Sequence, residues 1–294
     1  MPGYIPAVDN TATQHDGTEA LSVNATLVRR LLTLVALETV GRFTRDGSAC
    51  VRISRSLVVK TSPWAHLTEA ATLQFVAAHT TSVPVPRVHC AFVRNNRAFI
   101  VMDRVPGVSL ARAWKTLNDA ERDAIFAQLR GMFEELRALP PPPPGAGIQS
   151  CVGGSLRDSR ITRSWPRFGP FKNTQDFHFW LRHELRPEDH PDREDNQDWK
   201  DIKAMVARQD GPWSAPVFTH GDLNTSNIMV DGGRVTGIID WEFGGWYPPY
   251  WEYTAAWSGH YVRLGWEKEI VKFLDPYPEE LEMEITRQRW WGEI

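Results

Sequence analysis

Asp222, Asn227 and Asp240 set a carboxylate, an amide five residues later and a second carboxylate along one stretch of the chain. The first two belong to His220-Gly221-Asp222-Leu223-Asn224-Thr225-Ser226-Asn227, and the third closes the apolar run of Ile238-Ile239-Asp240-Trp241-Glu242. Phosphoryl transfer asks little covalent chemistry of a protein. It needs a carboxylate to orient and deprotonate an attacking hydroxyl, and oxygen ligands for the magnesium that bridges the phosphates. Magnesium takes hard oxygen donors, usually one or two carboxylates, and leaves its other positions to phosphate and water. Asp222 suits the first task; Asn227 and Asp240 suit the second.

Positioning these groups requires a strand, a loop and a hairpin. Val217-Phe218-Thr219 reads as a short strand feeding the loop. Ile228-Met229-Val230, the turn at Asp231-Gly232-Gly233-Arg234, and Val235 to Ile239 read as a β-hairpin whose glycines supply positive φ. Such a hairpin returns Asp240 to the side of Asn227, so that both can reach one metal ion.

Upstream, Val51-Arg52-Ile53 and Leu57-Val58-Val59-Lys60 read as paired strands, followed by a helix from His66 to His79 that carries Glu69. A cation on a strand and an acid on the next helix are what a nucleotide site uses to hold α- and β-phosphates. A solvated first-turn glutamate would also suit the helix dipole. A glycine-rich phosphate loop is expected before Lys60, yet only Gly41 and Gly47 stand there. Val88 to Val93 and Ala98 to Met102 form a second strand pair. The connector Asp103-Arg104-Val105-Pro106-Gly107 follows, and its backbone groups can pair with an adenine edge whatever their side chains.

Residues 1 to 24 are polar and without period, and are read as a loose arm. Residues 25–105 are assigned to an N-terminal nucleotide-binding lobe and 106–294 to a C-terminal catalytic and acceptor-binding lobe. Leu27 to Val40 reads as an amphipathic helix, and its Leu31–Val40 part as a core helix too short to span a membrane. Asn118-Asp119-Ala120-Glu121 has the form of a capping box, with Ile125, Leu129, Met132 and Leu136 at helical spacing. Residues 145 to 175 read as a long glycine-, serine- and arginine-rich loop. Helices are expected at Asp176–Leu185, Tyr253–Leu264, Trp266–Phe273 and Glu279–Trp291. Pro187 to Asp201 is a run rich in acids, read as a solvated loop or as an attractor of cationic substrates.

The 294 residues, 42% of them hydrophobic, suffice for one large or two small cores. A net charge of -3 gives no basic patch for nucleic acid. Cys50, Cys90 and Cys151 are odd in number and widely spaced, which points to neither a disulfide framework nor a zinc site. With no signal peptide at Met1-Pro2-Gly3, a cytoplasmic protein with no membrane partner is expected. The thirteen Trp include a late cluster, Trp241, Trp246, Trp251 and Trp257, read mainly as core.

Taken in order, Lys60, Glu69, the Met102–Gly107 connector, His-Gly-Asp-x4-Asn and Ile-Ile-Asp-Trp-Glu make residues 50–260 resemble the aminoglycoside phosphotransferase-like family, which includes choline kinase-type enzymes. Stretches such as Pro84-Val85-Pro86-Arg87-Val88, Phe218-Thr219-His220-Gly221-Asp222-Leu223 and Asp240 to Pro248 are most similar to its fungal branch. The resemblance implies an α+β, bilobed protein-kinase-like fold, β-rich in the N-terminal lobe and mainly helical in the C-terminal lobe, with ATP and Mg²⁺ between them. It implies that Lys60 binds phosphate and is oriented by Glu69, and that the backbone of Asp103 and Val105 meets adenine. Asp222 would be the catalytic base, Asn227 and Asp240 the metal ligands, and His220 structural. The implied activity is phosphorylation of a hydroxyl on a small molecule, with a cationic acceptor favoured by the acidic segment and the aromatic cluster. A catalytically silent nucleotide-binding module and a protein kinase are the alternatives. The absence of Ala-Pro-Glu after Asp240 counts against the latter.

Overall fold

The computed structural model describes residues 13–44, 49–141, 147–161, 166–258 and 265–291. Gly47, the arm before Thr13 and the 259–264 end of the helix expected from Tyr253 lie outside the described residues. The chain opens with α1 (Leu27–Glu38) and α2 (Val40–Thr44), then β1 (Cys50–Arg52), β2 (Leu57–Lys60), α3 (Leu67–His79), β3 (Val88–Val93) and β4 (Ala98–Asp103). The four strands form one antiparallel sheet in the order β1-β2-β4-β3. β2 is interior, with Lys60 paired to Cys50 on one side and Ile100 on the other. One apolar cluster, including Leu37, Val51, Val59, Phe92, Phe99 and Val101, joins the sheet to the α1 side. A different set, including Leu67, Leu73, Val76, Ala91 and Ile100, joins it to α3.

The second lobe begins with β5 (Val108–Ser109), α4 (Leu110–Ala113) and α5 (Asp119–Arg137). The capping box is present: Glu121 N–H donates to Asn118 Oδ1, and Asn118 N–H to Glu121 Oε2, each at 2.9 Å. Its helix buries Ile125, Leu129, Met132 and Leu136 as their spacing requires. There follow α6 (Thr174–Leu181), α7 (Gln197–Asp210), β6 (Val217–Thr219), β7 (Ile228–Asp231), β8 (Arg234–Ile238), β9 (Gly245–Tyr247), α8 (Trp251–Ser258), α9 (Trp266–Glu269) and α10 (Pro278–Trp291). The expected hairpin is β7–β8, and β5 adds a third strand beside β7. The whole is the bilobed α+β architecture anticipated, with Trp241, Trp246 and Trp251 buried in its cores.

Three expectations need correction. The arm is not loose from Thr13 onward. Gln14 Nε2 donates to Pro63 O at 3.0 Å, His66 Nε2 bonds Gln14 O at 2.9 Å, and Val23 pairs with Ala91 of β3. The arm showed no period because only Leu21 and Val23 of it enter the apolar core, the remaining contacts being made by polar and backbone groups. Nor is Leu31–Val40 a core segment: α1 buries only Thr33 and Leu37 and leaves Leu31 and Leu32 more than half exposed. Finally, the acidic run ends in a helix that charge patterning hid. Asn196 caps α7 through Trp199 N–H, and Trp199, Ile202, Met205 and Val206 are buried while its lysines face out.

Candidate active site

A lysine only 3% exposed needs charged partners, since burial alone would strip its proton. Lys60 has three. Its Nζ lies 2.8 Å from Glu69 Oε2 and 3.4 Å from Glu242 Oε2, and donates a short hydrogen bond to Asp240 Oδ1. Burial works against the ammonium, but Glu69, Asp240 and Glu242 outweigh it and hold its pKa well above the ordinary lysine value. Desolvation also works against the half-buried Asp240 carboxylate, yet the Lys60 charge and hydrogen bond keep its carboxyl below the usual range. Glu69, deepest of the three, is pushed up by burial and by the neighbouring carboxylates Asp240 and Glu242, against the pull of Lys60. Three carboxylates thus share one ammonium, with ligand oxygens of Glu69, Asp240 and Glu242 within 4.8 Å of one another. The surplus negative charge is what a divalent cation neutralises.

The hairpin register explains why Asp240 and Asn227 are neighbours. Ile228 pairs with Ile238, and Ile239 N–H donates to Asn227 O at 2.9 Å, so the residues flanking the hairpin emerge side by side. Asp240 itself has left-handed backbone at φ 67°, ψ 56°. That conformation costs a non-glycine residue about 1–3 kcal/mol and is typical of functional positions. Asn227 uses its Nδ2 on Asp222, at 2.8 Å to the carbonyl and 2.9 Å to Oδ2. Its amide oxygen is therefore the end available to a cation. Carboxylate, amide oxygen and excess negative charge fit magnesium chemistry.

Asp222 sits in the loop between β6 and β7, with Asn224 Nδ2 3.3 Å from Oδ1. Burial pushes its pKa up to about 6, Arg160 opposing and Asp240 and Asp158 adding to the rise. A carboxylate with such a pKa is suited to act as a base near neutrality, because proton affinity and ionised fraction are both high. His220 cannot share that role. Its Nδ1 accepts from Asp222 N–H at 3.2 Å, and its Nε2 lies 2.9 Å from Ile239 O, a carbonyl that can only accept. The ring is thus the neutral Nε2–H tautomer, its pKa lowered chiefly by burial. Gly221 adopts φ 83°, and a Cβ there would stand 3.0 Å from Phe243 Cβ and O. Gly221→Ala is expected to cost about 1–3 kcal/mol, read as a lower urea midpoint at unchanged m-value.

A cavity of about 390 Å³ runs from the connector to this cluster. Val58, Met102, Met229 and Ile239 give it apolar walls, and Lys60, Glu69 and Asp240 a charged end. Asp103 and Val105 both line it. Asp103 turns its side chain to His89 Nε2, 2.6 Å away, and its N–H to Arg87 O. A second cavity of about 490 Å³ adjoins at Lys60 and Asp240 and is lined by Ser62, Trp64, Arg97, Arg157 and Glu242.

The sequence reading missed four groups here. Glu252 of α8 accepts from His220 N–H at 2.5 Å and from Gly221 N–H at 3.2 Å, fixing the start of the Asp222 loop. Arg157 holds Glu242 Oε1 at 3.1 Å between the rings of Trp64 and Phe243. Arg160, locked to Asp158, donates to Gly221 O at 3.0 Å. The arginine-rich composition of the 145–175 loop was the visible signal. Glu252 had only its position as a lone acid in an aromatic run.

A model of the phosphotransferase enzyme family matches residues 39–284. An aminoglycoside 3'-phosphotransferase of Streptomyces fradiae is 25% identical over 166 residues, 55% of this chain and 53% of that protein. The chain thus aligns with about half the length of this curated relative. Among solved structures, the aminoglycoside phosphotransferase APH(4)-Ia is similar with a TM-score of 0.59 at 14% identity, covering 86% of this chain and 88% of that one. APH(3'')-Id from Streptomyces rimosus, bound to ADP and streptomycin, gives 0.52 at 16% identity, with 89% and 97% covered. At these identities the structures speak for the fold.

Proposed function

Because the chain belongs to the phosphotransferase enzyme family, we propose that it transfers the γ-phosphoryl group of ATP to a hydroxyl of a small molecule, with Asp222 as the base. The observation that carries this reading is the convergence of Lys60 from the first lobe with Asp240 and the Asp222 loop from the second. Lys60, steadied by Glu69, grips α- and β-phosphate oxygens, while Asp103 and Val105 bracket the adenine through their backbone. Asp240 and Asn227 are the residues that would hold magnesium, which offsets the charge of the phosphates when bound. Asp222 takes the proton of the acceptor hydroxyl, and Glu252 and Arg160 keep its loop in register. In this reading residues 25–105 serve the nucleotide and 106–294 the acceptor, and the fungal-type stretches around Pro84 and Phe218 belong to the same proposal.

An amine-bearing acceptor is the finer form of the proposal, supported by the sequence relative that is an aminoglycoside 3'-phosphotransferase. Within the acidic segment Asp195 pairs with Lys203 and Asp201 with Arg289. ADP release from Mg-ATP across aminoglycosides, choline, ethanolamine, homoserine and sugars tests both levels. Stimulation by one class is expected. Silence with nucleotide binding intact would favour the catalytically silent module, and phosphorylation of generic protein acceptors would favour a protein kinase.

A further inference from the structure

Among the described residues nine large apolar side chains are exposed, and seven of them lie between Leu27 and Phe43. Leu27, Val28, Leu31, Leu32 and Val35 of α1 are 52–73% exposed, and Phe43 of α2 is 92% exposed. At 3.6 residues per turn those five α1 residues fall within an arc of about 140°. Thr33 and Leu37, which α1 buries against the sheet, lie on the opposite side. The helix is therefore apolar on the face that the fold does not use. Such concentration is rare on a monomer surface and marks a docking site. An apolar groove of about 450 Å³ continues the patch under the helix, lined by Leu32, Ile53, Leu57, Val101 and Arg29. α1 ends at Glu38, just ahead of the family match, which begins at residue 39.

Charge selects the occupant. Arg29 and Arg42 are exposed at the margins of the patch and Arg30 is half-buried over Phe92, whereas Glu38 is the one acid on the two helices and is paired to Arg42 at 3.0 Å. The patch is cationic on a chain whose net charge is -3. A second copy would bring like charges together, while an anionic lipid surface complements both the arginines and the apolar arc. We propose that α1 and α2 seat the enzyme on anionic membrane surfaces, α1 lying in the interfacial plane with Leu27, Leu31, Val35 and Phe43 inserted. No helix among the described residues is long and apolar enough to cross a membrane, and lying on one requires none.

The test is sedimentation of the full chain with phosphatidylcholine vesicles, with and without phosphatidylserine, at low and high salt, alongside light scattering for molecular mass. The variant Leu31→Glu with Val35→Glu changes only exposed positions, and an unaltered thermal melt verifies its fold. Pelleting that needs phosphatidylserine, weakens with salt and falls about tenfold or more in the variant is the expected result. Equal pelleting on both lipids, or none, overturns the proposal. So does a dimer that the variant dissolves, which would make a second copy the occupant.

Discussion

Asp222→Asn is expected to lower kcat by about 10²–10⁴-fold while leaving Mg-ATP affinity intact. Asparagine preserves the volume and one acceptor for the Asn227 and Asn224 amides that hold the side chain. It removes the charge and the proton affinity, together with one of the two acceptors. The pH profile offers an independent check. With the carboxyl pKa raised to about 6 by burial, kcat/KM of the native enzyme is expected to climb as pH rises through that value and then level off. The sign for stability is the reverse. A carboxyl that binds its proton more tightly folded than unfolded stabilises the fold at low pH, and this contribution fades between the ordinary aspartate value and about 6. Turnover in the variant equal to that of the native enzyme would remove Asp222 from the mechanism.

Lys60→Met is expected to be the most damaging single change for the fold, at about 3–5 kcal/mol, because it leaves the buried Glu69 beside Asp240 with no cation between them and only Arg157 on the far side of Glu242. Its pH dependence should be diagnostic. Glu69 already binds its proton more tightly folded than unfolded because of burial, and losing the opposing ammonium strengthens that preference. Stability of the variant therefore falls as pH rises, and urea unfolding at pH 8 should show a larger deficit than at pH 6. Nucleotide binding followed by equilibrium dialysis should be lost in parallel. Retained affinity would sink the assignment of Lys60 as the phosphate clamp.

Local pattern carried most of the catalytic frame. The hairpin from Ile228 to Ile238 was legible because alternating apolar residues and a Gly-Gly turn state their own register. The strand ending at Lys60 and the helix bearing Glu69 followed from periodicity, although the salt bridge between them is a tertiary fact. What stayed hidden depends on contacts distant in sequence. Arg160 reaches Gly221 across sixty-one residues, and Glu252 reaches His220 across thirty-two. Neither residue belongs to a motif; each matters only because the chain returns to the same place. The environment of α1 was misread for a related reason. Its hydrophobic residues occur on two faces, and composition alone cannot say which face the sheet will take.

The principal apolar cluster does not respect the division into lobes. Leu67, Leu73 and Ile100 belong to the same contiguous set as Phe133, Phe218, Ile238 and Trp241. The two halves are therefore not modules joined by a connector but one cooperative body with a cleft cut into its surface. Either half produced alone would carry a raw hydrophobic section where its counterpart should be. Transplanting a nucleotide lobe from a relative would require recutting that section residue by residue. For the same reason, a core substitution beneath the adenine cavity should register at the acceptor side as readily as at its own.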